Sequence, residues 1–289
     1  MALTLLVTGT GKDGTFSACE LIRQAYAVNG ETCHIAHEPD VLALLNAHTR
    51  YLETSDPAWR DEIARIVSGW SLDVAVCGGA DFCLDVFERQ FGAALKVVHL
   101  KRTREAYLRS VLNATLANPE SHGYYVDGDL TFSLYRPAAF HYGEMSRAQW
   151  DACSLEQRYA WFYDKVHQLF DEYRCRFDHT LVVETEKLSE PDTIDTLVRF
   201  INPMWSERPP AVHRNALRIV DHRDFTPAQR KQLHRLFVGL DIERLLASPL
   251  YPVNYFLQFV DAQLLGAAPE DELRAFLAKA DEIRSRDLD

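Results

Sequence analysis

The chain has 289 residues, 47% of them hydrophobic and 25% charged, an ordinary globular composition that is long enough to bury a large core. The formal net charge of −11 argues against general nucleic-acid binding, so any basic site must be local. The six cysteines form no C-x-x-C pair and no cysteine–histidine cluster, so we expect buried free thiols and no metal site. No apolar run has membrane-spanning length and no basic leader precedes the first one, so we expect a cytoplasmic protein without membrane association.

Short apolar runs alternate with segments of helical periodicity along most of the chain. The predicted strands are 4–8, 32–36, 74–77, 96–100 and 180–183, and the main predicted helices are 17–28, 41–47, 58–69, 85–91, 104–117 and 154–173. This alternation predicts an α/β fold with a three-layer arrangement, in which helices flank a parallel sheet. Ligands of such sheets bind outside the C-terminal ends of the strands.

Two segments depart from this pattern. Residues 118–150 have no evident period and many aromatic side chains, which predicts an irregular lid beside an acceptor substrate or, alternatively, a packed insertion. Residues 269–289 are amphipathic and predict a C-terminal helix that docks on the body or on a partner, so a homodimer is kept as an option. We expect one domain over 1–289.

The first strand leads into the most informative segment, LLVTGTGKDGTFS at 5–17. An apolar strand is followed by a glycine-rich turn and then by a helix. Backbone N–H groups without helical partners and the helix dipole favour an anion at such a turn, and Lys12 adds a full positive charge. The segment therefore predicts binding of a phosphorylated ligand.

Spacing separates the ligand classes that use such turns. A Walker A loop needs lysine directly after its second glycine, whereas here Lys12 precedes Gly14 by two residues. Gly9, Gly11 and Gly14 do match G-x-G-x-x-G, and a dinucleotide fold would use Glu31 or Glu38 on the ribose. No Y-x-x-x-K pair of the short-chain dehydrogenase type accompanies that match.

A second basic segment, LKVVHLKRTREAYLRS at 95–110, follows the predicted strand 96–100. Arg102 lies after the strand end, and Ser110 lies eight residues later in the second turn of the following helix. An arginine fork and a serine hydroxyl at this spacing can converge on one anion. An exposed basic patch at a strand exit is the alternative interpretation.

Taken in order along the chain, the two segments resemble the nucleotide motifs of sulfotransferases that use 3'-phosphoadenosine 5'-phosphosulfate (PAPS). The lysine loop resembles the 5'-phosphosulfate loop, and Arg102 with Ser110 resembles the 3'-phosphate motif. Weaker similarities are the long helix 154–173, the strand and acidic loop 181–190, and the basic loop and helix 213–233. The resemblance implies a P-loop-like fold, a PAPS cosubstrate that leaves as 3'-phosphoadenosine 5'-phosphate (PAP), no metal, and a small-molecule acceptor.

The resemblance also implies roles for individual residues. Lys12 would neutralise the departing phosphate oxygen. Residues of the two motifs and of the late loop would bind the nucleotide: Gly11, Lys12, Asp13, Gly14, Thr15, Phe16, Ser17, Arg102, Ser110, Arg214 and Asn215.

The general base is the open part of this assignment. Many cytosolic members carry a histidine about 22 residues before the 3'-phosphate arginine, but this chain reads CGGAD at 77–81. Some bacterial and carbohydrate sulfotransferases use a glutamate after the second strand, and Glu38 occupies that place here. Glu38 is therefore the first candidate, Asp81 the second and His37 the third, while a helix-capping role is the alternative for Glu38.

Three functions remain open from the sequence. The first is a PAPS-dependent sulfotransferase that acts on a hydroxyl or amine of a small organic molecule. The second is a nicotinamide-dependent oxidoreductase, and the third is a nucleotide-binding protein without catalysis.

Overall fold

The structure is a computed structural model that describes residues 3–117, 125–127, 129–131 and 137–212. The strands are β1 (Leu5–Thr8), β2 (Ile35–His37), β3 (Val74–Val76), β4 (Lys96–Lys101), β5 (Tyr125–Asp127), β6 (Asp129–Thr131) and β7 (Thr180–Glu184). Five of them form one parallel sheet in the order β2-β3-β1-β4-β7, and β5 pairs with β6 as an antiparallel hairpin. The predicted α/β fold, a parallel sheet flanked by helices, is confirmed.

The helices of the described part include the six that the sequence predicts, of which the one predicted at 41–47 extends to Thr54, and two more, at 147–151 and 191–201, that the sequence does not predict. In chain order the helices are α1 (Thr15–Val28), α2 (Val41–Thr54), α3 (Ala58–Ser68), α4 (Leu84–Phe91), α5 (Arg104–Ala117), α6 (Arg147–Asp151), α7 (Leu155–Tyr173) and α8 (Pro191–Ile201). The local sequence explains where several of these helices begin. Ser154 and Gln157 form a reciprocal capping box at the start of α7, and Pro191 occupies the first turn of α8.

Alternation along the strands divides the core into two apolar clusters. Leu6, Ala75 and Val97 contribute to the cluster that also holds residues of α2, α3, α4 and α7. Their strand neighbours, such as Leu5 and Val7, contribute to the cluster that holds α1 and α8. Because successive side chains of a strand point to opposite faces, a sheet covered on both sides needs such continuous apolar runs.

The segment 118–150 is more regular than the sequence indicates. Its described parts include the β5–β6 hairpin, a 3-10 turn at Ala139–Tyr142 and α6. The prediction that this segment lacks regular structure is therefore wrong for these parts. The hairpin strands have three residues each, and α6 is specified by a capping box between Ser146 and Gln149, so neither produces a long periodic signal.

The chain divides into two compact units. One comprises Met1–Leu112 and Glu120–Ala216, and it contains the five-stranded sheet. The other comprises Asn113–Pro119 and Leu217–Asp289, of which the structure describes the last residues of α5. The predicted C-terminal helix 269–289 lies outside the described residues, and the single-domain description stays a prediction.

Candidate functional site

The glycine-rich turn joins β1 to α1 as the sequence predicts. Gly14 is the N-cap of α1 with a φ of 78°, a left-handed conformation that favours glycine. A Cβ on Gly14 would also lie only 2.9 Å from Thr185 Cγ2. The N-cap residue is a glycine and makes no side-chain capping hydrogen bond, and the N–H groups of a first helical turn are donors suited to an anion.

Two buried carboxylates hold the first half of this loop. The Oδ2 atom of Asp13 accepts a hydrogen bond from the N–H of Thr10 at 2.7 Å, and Oδ2 of Asp81 accepts one from the N–H of Gly9 at 3.1 Å. Both aspartates have no exposed surface. Burial raises the pKa of Asp13 to about 6, although the Thr10 hydrogen bond acts in the opposite direction. These two hydrogen bonds fix the backbone of Gly9 and Thr10 against the interior of the protein.

This arrangement changes the interpretation of two predicted site residues. The Asp13 side chain turns into the protein, so only its backbone is available to a ligand at the loop. Asp81 is enclosed, and its Oδ1 atom lies 3.1 Å from Nδ1 of His99, which is itself buried and stacked on Phe170. Of the three predicted proton acceptors, Asp81 therefore has the least suitable position, and His99 is a packed core residue.

The other two predicted proton acceptors lie beside the loop at the end of β2. The Nε2 atom of His37 lies 3.1 Å from Oγ1 of Thr15, and its ring packs edge-on against Phe16 at 5.3 Å. Burial lowers the pKa of His37, and the charge of Lys12 acts in the same direction while that of Glu38 opposes it. These effects identify Lys12, His37 and Glu38 as one electrostatic group.

Glu38 has an unusual backbone for its residue type. Its φ is 52°, a left-handed conformation that is costly for a side chain with a Cβ. Its N–H donates to the carbonyl of Val76 at 2.6 Å, and a Cβ built on Gly11 would lie 3.6 Å from its Oε1. The half-buried carboxylate is thus held next to the glycine turn, where a ligand bound to the loop would meet it.

Arg102 reaches the same loop from the end of β4. Its Nη1 donates to the carbonyl of Lys12 at 3.4 Å, and the hydroxyl of Tyr163 donates to the Arg102 carbonyl at 2.6 Å. The strands β1 and β4 are parallel neighbours, which brings the residues after both strands to one sheet edge. Ser110 is half-buried in the second turn of α5.

The structure also reveals residues to which sequence reasoning gave no role. Gly78 packs on the backbone of Gly11, and Thr185 and Glu186 contact the loop and Arg102. The Gly-Gly pair after β3 and the acidic segment 181–190 were the available signals. The predicted nucleotide contacts Arg214 and Asn215 lie outside the described residues.

Among the described residues, no group of three or more His, Cys, Asp or Glu side chains is placed to hold a metal ion. Within the same ranges, no helix combines the length and apolarity that crossing a membrane requires. Neither a scan against protein-family models nor a search of curated proteins finds a match to this chain.

Proposed function

We propose that the protein is a PAPS-dependent sulfotransferase with a P-loop-like fold. The observation that carries the proposal is the contact between Arg102 and the carbonyl of Lys12, at 3.4 Å. It joins a glycine loop suited to a 5'-phosphosulfate with an arginine suited to a 3'-phosphate. The donor nucleotide would lie across the ends of β1 and β4, which is where ligands of parallel sheets bind.

In this proposal the residues of the loop perform an in-line transfer. The bond between sulfur and the 5'-phosphate oxygen breaks, and a bond from sulfur to the acceptor oxygen forms. Lys12 stabilises the charge that develops on the departing phosphate oxygen. Glu38 takes the proton of the acceptor hydroxyl. The acceptor is a small organic molecule, and PAP is the nucleotide product.

The strand order weakens the dinucleotide alternative. In that fold the strand order is 3-2-1-4-5-6, so the second strand lies beside the first. Here β3 pairs with β1, and β2 lies one strand further out. In a dinucleotide fold the ribose-binding acid follows the strand that lies beside β1. In this protein that strand is β3, whereas Glu38 follows β2.

Binding of PAP and of adenosine 5'-phosphate, measured by titration calorimetry, tests the donor assignment. We expect much tighter binding of PAP, and Arg102→Ala should remove roughly 2–5 kcal/mol of that affinity, as truncation of a buried charge contact does. Arg104→Ala is the matched control because Asp164 holds that side chain through two hydrogen bonds. Equal affinity of the wild type for the two nucleotides would refute the proposal.

Turnover of sulfur-labelled PAPS with a panel of phenols, alcohols and amines tests catalysis. Transfer of the label to any acceptor supports the enzyme. Tight PAP binding without transfer to water or to any acceptor would favour a non-catalytic nucleotide-binding protein.

A further inference from the structure

The turn after β7 contacts both halves of the proposed donor site. β4 and β7 are parallel neighbours with Lys101 opposite Glu184, so the chain leaves both strands side by side. The residues Thr185–Lys187 then form a 3-10 turn. This register brings Thr185 and Glu186 alongside Arg102 and Thr103.

Thr185 contacts the glycine loop. Its hydroxyl donates to the backbone carbonyl of Asp13 at 2.7 Å. Its methyl group occupies the space that a side chain on Gly14 would need, at 2.9 Å. The turn is therefore attached to the loop that begins α1.

Glu186 contacts the arginine side of the site through one carboxylate oxygen. Oε1 accepts the N–H of Thr103 at 3.3 Å and the Thr103 hydroxyl at 3.5 Å. The same oxygen lies 3.7 Å from Nε of Arg102. The hydrogen bonds to Thr103 fix the carboxylate at the N-terminus of α5, and the charge attracts the Nε edge of the guanidinium.

The guanidinium of Arg102 is thereby held on two sides. Glu186 faces Nε, and the Lys12 carbonyl receives Nη1. The contact with Glu186 is an ion pair and not a hydrogen bond. Neither contact uses Nη2, so the fork keeps donors for an anion while the two contacts restrict its orientation. Fixing a flexible arginine before binding reduces the entropy that is lost when a phosphate binds.

We propose that Glu186 is a positioning residue that orients Arg102 toward a 3'-phosphate and so sets the nucleotide selectivity of the donor site. This inference rests on the proposed function. Glu186 also has an effect that opposes binding, because its negative charge repels the 3'-phosphate of a nucleotide bound beside it. The Glu186 side chain is 43% exposed, so solvent weakens both effects. The attraction to Arg102 Nε acts over 3.7 Å, whereas the repulsion acts on an anion on the far side of the guanidinium, so the attraction is the larger of the two.

Two substitutions of Glu186 separate the effects. Glu186→Gln keeps an oxygen acceptor for the Thr103 N–H but removes the charge, and Glu186→Ala removes both. The readout is the selectivity ratio, the dissociation constant of adenosine 5'-phosphate divided by that of PAP, measured on the full chain by calorimetry. Glu184→Ala is the control, because it removes an equal charge from an exposed residue that pairs with Lys187.

We expect Glu186→Ala to lower the ratio about fivefold, the upper value for a partly exposed ion pair, and Glu186→Gln to lower it less. The affinity of Glu186→Ala for adenosine 5'-phosphate should stay within about threefold of the wild-type value. The selectivity ratio of Glu184→Ala should also stay within about threefold of the wild-type ratio. An unchanged ratio in Glu186→Ala, or a raised ratio in Glu186→Gln, would overturn the positioning role. A wild-type ratio near one would instead remove the proposed function and this inference with it.

Discussion

Gly78, after β3, packs directly on the backbone of Gly11 in the glycine turn. A Cβ on Gly78 would lie 2.4 Å from Cα and 2.7 Å from N of Gly11. Both neighbours are backbone atoms, which cannot rotate away as the end of a side chain can. The chain after β3 therefore supports the glycine-rich turn, although the sequence motif of the turn does not include any residue of that segment.

We expect Gly78→Ala to displace the loop and to weaken PAP binding at least tenfold, with a loss of roughly 1–3 kcal/mol in the free energy of unfolding, as overpacking does. Gly92→Ala is the contrasting variant. Its φ of 80° makes a side chain costly, but nothing lies within 4 Å of the added Cβ. Its unfolding free energy should fall by about 1 kcal/mol while PAP affinity is kept. Calorimetry and urea unfolding measure both, and a normal affinity in Gly78→Ala would contradict the role of this contact.

Lys12→Ala should lower kcat far more than it weakens PAP binding. The ammonium group matters most when negative charge builds on the leaving oxygen, which is an interaction of the transition state. Single-turnover kinetics with PAPS and calorimetry with PAP separate the two quantities. Lys101→Ala removes an equal charge from the exposed end of β4 and should leave kcat unchanged. If Lys12→Ala lost only nucleotide affinity, Lys12 would be a ground-state contact.

Glu38→Gln should fold normally, bind PAP, and lose about 10²–10⁴ in rate, the usual contribution of a positioned base. The amide has the shape of the carboxylate but cannot accept the acceptor's proton. Glu184→Gln at the end of β7 is the control for a change of charge, and it should turn over normally. A near-normal rate in Glu38→Gln would direct attention to His37, whose Nε2 lies 3.1 Å from Thr15 Oγ1.

The buried Asp13 should make the protein less stable as the pH rises from about 4 to about 6. Its pKa is raised from 3.8 to about 6, so in this window the unfolded chain releases a proton that the folded chain retains. Linkage then lowers the free energy of unfolding by on the order of 3 kcal/mol across the window, with no further change above it.

Asp13→Asn should abolish that contribution. The Asn carbonyl can still accept the N–H of Thr10, which now bonds Asp13 at 2.7 Å. Urea unfolding of both proteins at a series of pH values gives the comparison. If the unfolding free energies of the two proteins differed by a constant amount from pH 4 to pH 7, the Asp13 carboxyl would not be the source of the pH dependence.

His48 should remain neutral well below the usual range of histidine. Burial lowers the pKa of His48 to about 3, and the charge of Arg60 acts in the same direction. Below about pH 6.5 the unfolded chain binds a proton at His48, whereas the folded chain does not. His48 therefore removes stability as the pH falls from 6.5 toward 3, by roughly 5 kcal/mol in total.

The tautomer of His48 follows from its two partners. Arg60 can only donate, and its Nη1 lies 3.2 Å from Nδ1, so Nδ1 must carry the lone pair and Nε2 the proton. Nε2 then donates to the hydroxyl of Tyr142 at 2.9 Å. Nitrogen NMR of labelled histidine should report a neutral Nε2–H ring at pH 5, and a charged ring at that pH would contradict the pairing.

Local sequence determined the α/β fold and the glycine-rich turn between β1 and α1. Apolar runs of strand length, separated by periodic segments, are sufficient to predict β1, β3, β4 and β7 nearly at their observed limits. Glycines and a lysine between a strand and a helix predict the loop, because their effect depends on near neighbours in the chain. The placement of Arg102 beside the loop also followed, since parallel strands end at one edge.

Tertiary structure alone decided which polar side chains remain accessible beside the glycine-rich turn and which are buried against it. The sequence offers Asp81 as the second candidate base and Asp13 as a nucleotide contact, yet the fold buries both carboxylates against the backbone of the loop. Likewise, Glu186 lies more than 80 residues from Arg102, and only the pairing of β4 with β7 brings them together. Burial and long-range contacts are properties of strand order and register, which local periodicity does not encode, so the supporting residues could not be read from the chain.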